Sequence, residues 1–422
     1  MKKLIWVNHA SYIIETPDVR LICDPWIEGK AFDNGWSLLS KTKLNYEDFK
    51  DITHIWFSHE HPDHFSPPNI MKIPEEYRRQ ITVLYQESND GKVIQFCKKA
   101  GFKTQILPTS KWVRLSEDFE IICTPFSHGD SWMATKFDNQ TILNLNDCVV
   151  ATSKTAQEVQ KAVGKVDILL TQFSYAKWYN TQAERQKGAA DVLDRVRIQN
   201  DVLKPEAIIP FASFIYFCDR ENQNMNDSIN TIADAYQEIS SYNNCPVFYP
   251  GDEWNFIDPV DSQSAIDKYM EDANNIEISE QEKPVIPLDE LLQKARKFLD
   301  LLYDSHSKIA VSGLRPVKLY ITDLDQILTL SPHGLETDNS GDDYNISISS
   351  SALAYMFDFT WGGGTLLVNG KFQSKSNVDD FTNYAYMSVK ANVAKPVTLI
   401  GYLGNRIRKY YDWYSQKLVR AT

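Results

Sequence analysis

ITHIWFSHEHPDH, residues 52–64, carries an apolar run straight into three histidines and an aspartate within six residues. A strand delivers its C-terminal end to a sheet edge, and the loop beyond it can turn several side chains onto one point. His59 and His61 are two apart, so in extended backbone they share a side. Asp63 and His64 then come from the turn. His54, earlier in the same run, points the other way and reads as structural. Imidazole with carboxylate suits zinc, iron or manganese. Three protein ligands with an open position is the catalytic pattern rather than the structural one.

Two further ligands are expected downstream. His128 sits in CTPFSHGD, just after the apolar run 119–123, and Asp147 sits in ILNLNDC, just after 141–145. Both are strand-end positions, and an aspartate between two cations can bridge them through both oxygens. On a metal-dependent reading, His59, His61 and His128 would hold one cation, and Asp63, His64 and Asp147 a second. If only one metal binds, Asp63 is the catalytic candidate, orienting water as general base. The implied cofactor is one or two divalent ions, zinc or iron, with manganese also suited to such ligands.

The rest of the chain frames this loop. With 422 residues two domains are expected. Strand-like runs fall at 4–7, 11–15, 20–23, 52–57, 81–85, 103–107, 119–123, 141–145, 167–171 and 207–210. Helical patterns fall at 92–100, 156–163, 183–202 and 228–239. This order suits an α/β fold, two sheets packed face to face with helices outside, in four layers α/β/β/α. Residues 1–257 are expected to form that metal-binding domain and the polar stretch 258–287 a linker. Residues 288–422 are expected to form a smaller α+β domain. In it Leu288, Leu291, Leu292, Ala295, Phe298, Leu299 and Leu302 make one apolar helix stripe. Strands are expected at 317–322, 327–330, 344–348 and 365–368, with turns at 362–364 and 369–370 and helical segments at the C-terminus.

Lys plus Arg is 44 against 56 Asp plus Glu, a net charge of −12, which disfavours nucleic acid or an anionic membrane as partner. There is no run of 18 apolar residues and no signal-peptide pattern at the start. The six cysteines form no CxxC pair, and a reducing cytoplasm with a small-molecule substrate is the expectation.

The HxHxDH run, a distant His and an Asp closing a strand resemble the metallo-β-lactamase superfamily. That pattern implies a last His two residues after a proline that follows an apolar strand. Here the matching place is AIIPFA, 207–212, and the position is held by Ala212. No histidine occurs between Gly129 and Ser305, so the second metal site is depleted. His9, His306, His333 or a carboxylate such as Glu221 could complete it, or the site holds one metal. More closely, NHASYIIE, LICDPWIEGKAFDNGW, SHEHPDHFS, ILNLNDC and IIPFASF resemble the metallo-β-lactamase-like portion of CMP-N-acetylneuraminate hydroxylases, which also carry PFA at that place. Those enzymes have a Rieske domain whose paired Cys and His ligands have no counterpart in these residues. On an oxidative reading, electrons come from a redox partner, or the metal site itself binds oxygen.

The resemblance places His9 near the metal mouth, as a candidate substrate contact with Trp26, Lys177 and Tyr179. Trp36 is a further candidate pocket wall or core residue, and Asp24 reads as a structural hydrogen-bonding group. The second domain resembles sterol-carrier-type domains, and a lid or dimerisation unit fits it as well. Metal-dependent hydrolysis leads the functional reading. The alternative is a non-haem iron oxygenase acting on a sugar nucleotide or another metabolite.

Overall fold

The computed structural model describes residues 2–401 and 403, apart from 89, 339, 340, 342 and 377. They fall into two compact units, Met1–Ser279 and Glu280–Thr422.

In the first unit, a seven-stranded sheet runs in the order Glu253–Trp254, Lys3–Asn8, Ser11–Glu15, Arg20–Cys23, His54–Trp56, Thr82–Gln86, Lys103–Leu107. A six-stranded sheet runs Ala207–Phe211, Ile168–Gln172, Gln140–Asn146, Ser131–Phe137, Phe119–Pro125, Trp112–Ser116. The apolar runs of the first sheet are continuous because both of its faces are buried. Leu4, Trp6, Tyr12, Ile14, Leu21 and Trp56 pack with Ile121, Leu143 and Leu169 of the second sheet. Their alternates Val7, Ile13, Ile22 and Ile55 pack on the other side with Ile70, Val93 and Cys97. Ile70 belongs to the helix Pro67–Lys72, and Val93 and Cys97 to Lys92–Lys99. The helices Ser153–Val163, Gln182–Leu203 and Ile232–Ser240 bury Val159, Val196 and Ile239 in the core of the second sheet. The result is the expected four-layer α/β/β/α sandwich.

Strand direction is what positions the site. Arg20–Cys23, His54–Trp56 and Thr82–Gln86 are mutually parallel, so their C-terminal ends open at one edge. Gln140–Asn146, Ile168–Gln172 and Ala207–Phe211 are parallel in the other sheet. All six cysteines are buried and free. Among the described residues no helix is long and apolar enough to cross a membrane.

Several elements differ from the expectation. Trp112–Ser116 and Ser131–Phe137 are strands that periodicity did not single out. Within the stretch 258–287 read as a linker, Ser262–Asn274 forms a helix that buries Ala265, Ile266 and Tyr269 in the core of the first unit. Its polar composition belongs to the exposed face.

The second unit holds a five-stranded sheet, Gly334–Thr337, Gln326–Ser331, Val317–Ile321, Ile346–Ile348, Gln373–Ser374. The helix Leu288–Ser305 buries Leu291, Ala295, Phe298, Leu299 and Leu302, the expected stripe. Residues 362–364, expected as a turn, and 365–368, expected as a strand, instead form one helix, Gly362–Asn369. These glycines serve close approach. A Cβ on Gly363 would lie 2.6 Å from the Ala385 carbonyl oxygen and 2.7 Å from its Cα, on the helix Val378–Asn392. Gly363→Ala is therefore expected to destabilise the second unit by about 1–3 kcal/mol, the usual cost of overpacking. A denaturant midpoint indistinguishable from wild type would refute that packing. The C-terminal helical segments beyond residue 403 lie outside the described residues.

Candidate metal centre

The loop after His54–Trp56 brings its ligands to the edge where the two sheets open. Two groups form there, each with its ligand atoms within 4.8 Å of one another: His59, His61 and Asp147, and His9, Asp63 and His64. His59 Nε2 lies 2.9 Å from His61 Nδ1. Asp147 Oδ2 lies 4.0 Å from His59 Nε2 and 3.2 Å from His64 Nε2, so this carboxylate stands between the groups. Asp63 Oδ2 is 3.2 Å from His64 Nε2 and 3.4 Å from His9 Nε2. His59, Asp63, His64 and His9 are buried, whereas His61 and Asp147 are partly exposed, toward the opening.

A buried hydrogen-bond network sets which ring nitrogens face the centre. Asp24 Oδ1 accepts from the Ser58 backbone N–H at 2.7 Å. Its Oδ2 accepts from Ser58 Oγ at 2.6 Å and from Asn146 Nδ2 at 2.6 Å. That oxygen also lies 3.0 Å from His64 Nδ1, and a carboxylate only accepts, so His64 carries a proton on Nδ1 and turns Nε2 toward Asp63 and Asp147 at the centre. The single Ser58 hydroxyl proton goes to Asp24. His59 Nδ1, 2.9 Å from Ser58 Oγ, is then the donor, and its Nε2 likewise faces the centre. Fixing the tautomer of a ligand from behind in this way is the usual task of the groups around a metal site.

On the other side, Asp147 Oδ1 accepts from Gln172 Nε2 at 3.3 Å, and Gln172 Oε1 accepts from Arg195 Nη2 at 2.8 Å. A buried guanidinium thus stands two hydrogen bonds from the central carboxylate. Burial lowers the Arg195 pKa from its usual value, with the Asp147 charge acting the other way.

The electrostatics fit a cation. Burial, reinforced by the neighbouring imidazoles, holds His59 well below the ordinary histidine range. Burial pushes the Asp63 carboxyl up, but His64 and His9 beside it outweigh this and hold it well down. Burial likewise opposes charge on His64, and the Asp63 and Asp147 carboxylates reverse it, raising that pKa. Asp63 Oδ1 and His9 Nδ1 are buried without any hydrogen-bond partner. An orphaned buried polar atom costs about 1–3 kcal/mol. Ring nitrogens and carboxylate oxygens gathered at one point, with an orphaned Asp63 oxygen among them, are what a divalent ion would satisfy. The donor set of imidazole and carboxylate fits one or two zinc, iron or manganese ions.

The other sequence candidates are distributed as follows. The His128 backbone lies in a short 3-10 turn, Ser127–Gly129, after the strand Phe119–Pro125, and its side chain lies outside the described residues. Trp26 is buried and presents a ring edge to His9, with centroids 5.8 Å apart. Trp36 is buried against Phe32, which in turn packs edge-on to His61 at 5.6 Å. Lys177 places its ammonium 5.0 Å from the Tyr179 centroid. The Tyr179 ring lies directly over Gly188, where a Cβ would meet Cζ at 2.4 Å. His54 pairs through Nδ1 with Thr53 Oγ1 at 2.8 Å, and burial lowers its pKa to about 4. His306 uses both ring nitrogens inside the second unit, Nδ1 accepting from the Val397 N–H and Nε2 donating to the Met387 carbonyl. His333 is exposed.

Sequence reading passed over Asp130, whose Oδ1 lies 3.9 Å from His59 Nε2. Burial, together with the Asp147 charge and against that of His61, pushes its carboxyl up to about 6. The signal was available, since Asp130 is the last residue of the SHGD run in which only the histidine was weighed. Ser58, Asn146 and Gln172 carried no signal at all.

Comparison with known proteins follows the same line. Residues 3–210 match the family model described as a β-lactamase superfamily domain. A protein of Mycolicibacterium smegmatis described as a Rieske 2Fe-2S iron–sulfur protein is 23% identical over 251 residues, 55% of this chain and 47% of that protein. The cytidine monophosphate-N-acetylneuraminic acid hydroxylase of Xenopus laevis is 26% identical over 153 residues, 35% of this chain and 26% of that one. The chain thus spans less than half the length of either relative. Among solved structures, the diiron β-hydroxylase CmlA of Streptomyces venezuelae superimposes with a TM-score of 0.44 and 14% identity, over 60% of this chain and 54% of that chain.

Proposed function

We propose that this chain, whose residues 3–210 carry the metallo-β-lactamase superfamily fold, is a metal-dependent hydrolase of a small polar substrate. The observation that carries the reading is Asp147 Oδ2, placed between two ligand clusters at 4.0 Å from His59 Nε2 and 3.2 Å from His64 Nε2. His59, His61 and Asp147 hold one cation, with His128 as its further imidazole. Asp63 and His64, sharing Asp147, hold the second. A divalent ion bound there lowers the pKa of a water to about 7 and polarises the attacked carbonyl or phosphoryl oxygen.

The protein's own groups do the rest. Ser58 and Asp24 keep Nε2 of His59 and of His64 turned inward, so no ring reorientation is needed when a cation arrives. If only one cation binds, Asp63, whose Oδ1 has no protein partner, is instead the group that orients water as general base. His61, partly exposed beside Phe32, lies on the side from which substrate enters. Lys177 and Tyr179 are further candidate substrate contacts. Six free buried cysteines suit a reducing compartment.

The curated relatives favour a second reading, in which iron in the same ligands supports hydroxylation of a sugar nucleotide or another metabolite. Metal analysis of protein purified without added metal separates the two. Zinc alone, with anaerobic turnover of a generic ester or phosphodiester, supports hydrolysis. Near-stoichiometric iron, with a visible band that responds to oxygen or peroxide, overturns hydrolysis in favour of the oxidative reading. In either case His61→Ala is expected to abolish metal binding and turnover while leaving the fold. Unchanged turnover in that variant would defeat the metal assignment.

A further inference from the structure

The metal-centre reading leaves one position short, because Ala212 stands where the superfamily pattern implies a last histidine. We infer that His9, from the opposite sheet and about two hundred residues earlier in the chain, supplies that imidazole to the second cation. The inference rests on the metal-centre reading and deepens it.

Four observations carry it. First, His9 is only 2% exposed although it occupies a two-residue turn between the strands Lys3–Asn8 and Ser11–Glu15, where a histidine would ordinarily be solvated. Second, the turn is locked to the place of the missing ligand. The Ala212 N–H donates to the His9 carbonyl oxygen at 3.0 Å. The Asn8 side chain accepts from the His9 N–H at 2.9 Å while donating to the Ser40 carbonyl at 2.6 Å. Third, the imidazole is aimed at the second cluster. Nε2 lies 3.4 Å from Asp63 Oδ2, and one ligand atom from each of His9, Asp63 and His64 falls within 4.8 Å of the others. Fourth, Asp63 Oδ1, on the residue that the His9 ring faces, is buried without a partner, as an oxygen awaiting a cation would be.

Backbone geometry adds a reason for the exchange. His9 has φ 28° and Ala212 φ 48°, both in the left-handed region. Such values are uncommon outside glycine and are tolerated better by histidine and asparagine than by most residues. The two strained residues are hydrogen-bonded to each other, so the strand end at Ala212 fixes the turn that presents His9.

The experiment titrates metal-free protein with Co2+ and counts bound ions, together with the paramagnetically shifted imidazole N–H signals of coordinated histidines. Wild type is expected to take two ions per chain. His9→Asn, which keeps a residue suited to left-handed backbone, is expected to keep the first ion. It is also expected to weaken the second by about 100-fold or more and to lose one shifted imidazole signal, since even residues behind a ligand cost 10–100-fold. Circular dichroism checks that this variant folds. Should it not, His9→Gln gives the same readout. Adding Ala212→His to His9→Asn is expected to restore the second ion and the signal. Two ions of unchanged affinity in His9→Asn, or an unchanged number of shifted signals, overturns the inference. So does a wild-type protein that takes only one ion. A wild-type protein that takes none overturns the metal-centre reading itself, which separates the two failures.

Discussion

Asp147→Ala is expected to empty both cation positions and to lower kcat/KM by about 10^3-fold or more while leaving the first unit folded. Its Oδ2 belongs to the group with His59 and His61 and is also 3.2 Å from His64 Nε2, so one truncation removes an anionic ligand from both clusters. A bound cation contributes several kcal/mol of transition-state stabilisation, and each 1.36 kcal/mol is about tenfold in rate. The fold should tolerate the change because the Asp147 side chain is partly exposed, at 18%. It also stands among other carboxylates, Asp63 and Asp130, so removing its charge relieves repulsion in the metal-free protein. Among the described residues, Gln172 Nε2 loses its acceptor, at about 1 kcal/mol, and His64 Nε2 keeps Asp63 Oδ2 at 3.2 Å. Inductively coupled plasma analysis of the purified variant, with a thermal melt beside it, reads both halves. Wild-type metal content at wild-type stability would mean that Asp147 is not a ligand.

Asp24→Ala is expected to act in the opposite proportion, on stability first and on metal through stability's architecture. Asp24 is fully buried and accepts from Ser58, from Asn146 and from His64. Its removal takes the acceptor from the Ser58 N–H, the Ser58 hydroxyl and His64 Nδ1, while Asn146 Nδ2 keeps Ser58 Oγ at 2.7 Å. At about 1–3 kcal/mol for each orphaned donor the first unit should lose about 3 kcal/mol or more. With no acceptor behind it His64 is free to change tautomer, and affinity for the second cation should fall 10–100-fold. Asp24 also has φ 38°, where alanine is less at ease than aspartate, which adds to the loss. Asp24→Asn keeps the shape and the backbone preference but sets a donor against donors. It should fall between wild type and the alanine variant in urea midpoint. A midpoint for Asp24→Ala within about 0.5 kcal/mol of wild type would show that the network is not holding the loop.

These two residues mark how far the sequence could be read. Asp147 was legible because its signal is local: an aspartate directly after an apolar strand, downstream of an HxHxDH run. His59, His61, Asp63 and His64 were legible for the same reason. The apolar runs at 11–15, 20–23 and 52–57 announced strands, and the stripe from Leu288 to Leu302 announced its helix. Asp130 was readable in principle, sitting beside a histidine that drew all the weight. Gly362–Gly364 misled because glycine signals freedom to turn and also room for a neighbouring helix, and sequence does not distinguish the two.

What the sequence by itself determined is which residues are candidate ligands and the sheet edge that presents them, because a strand running into a polar loop is a property of adjacent residues. Tertiary structure alone decided which histidine stands in the second cluster and which nitrogen each ring offers. His9 meets Asp63 across 54 residues and Asn146 meets Asp24 across 122, each through a hydrogen bond between distant parts of the chain. His9, Asp24, Asn146 and Ala212 all hold positive φ values that none of their side chains would choose in isolation. Only packing of both sheets against one another can hold four such residues there at once, and that packing has no signature in any short stretch of chain.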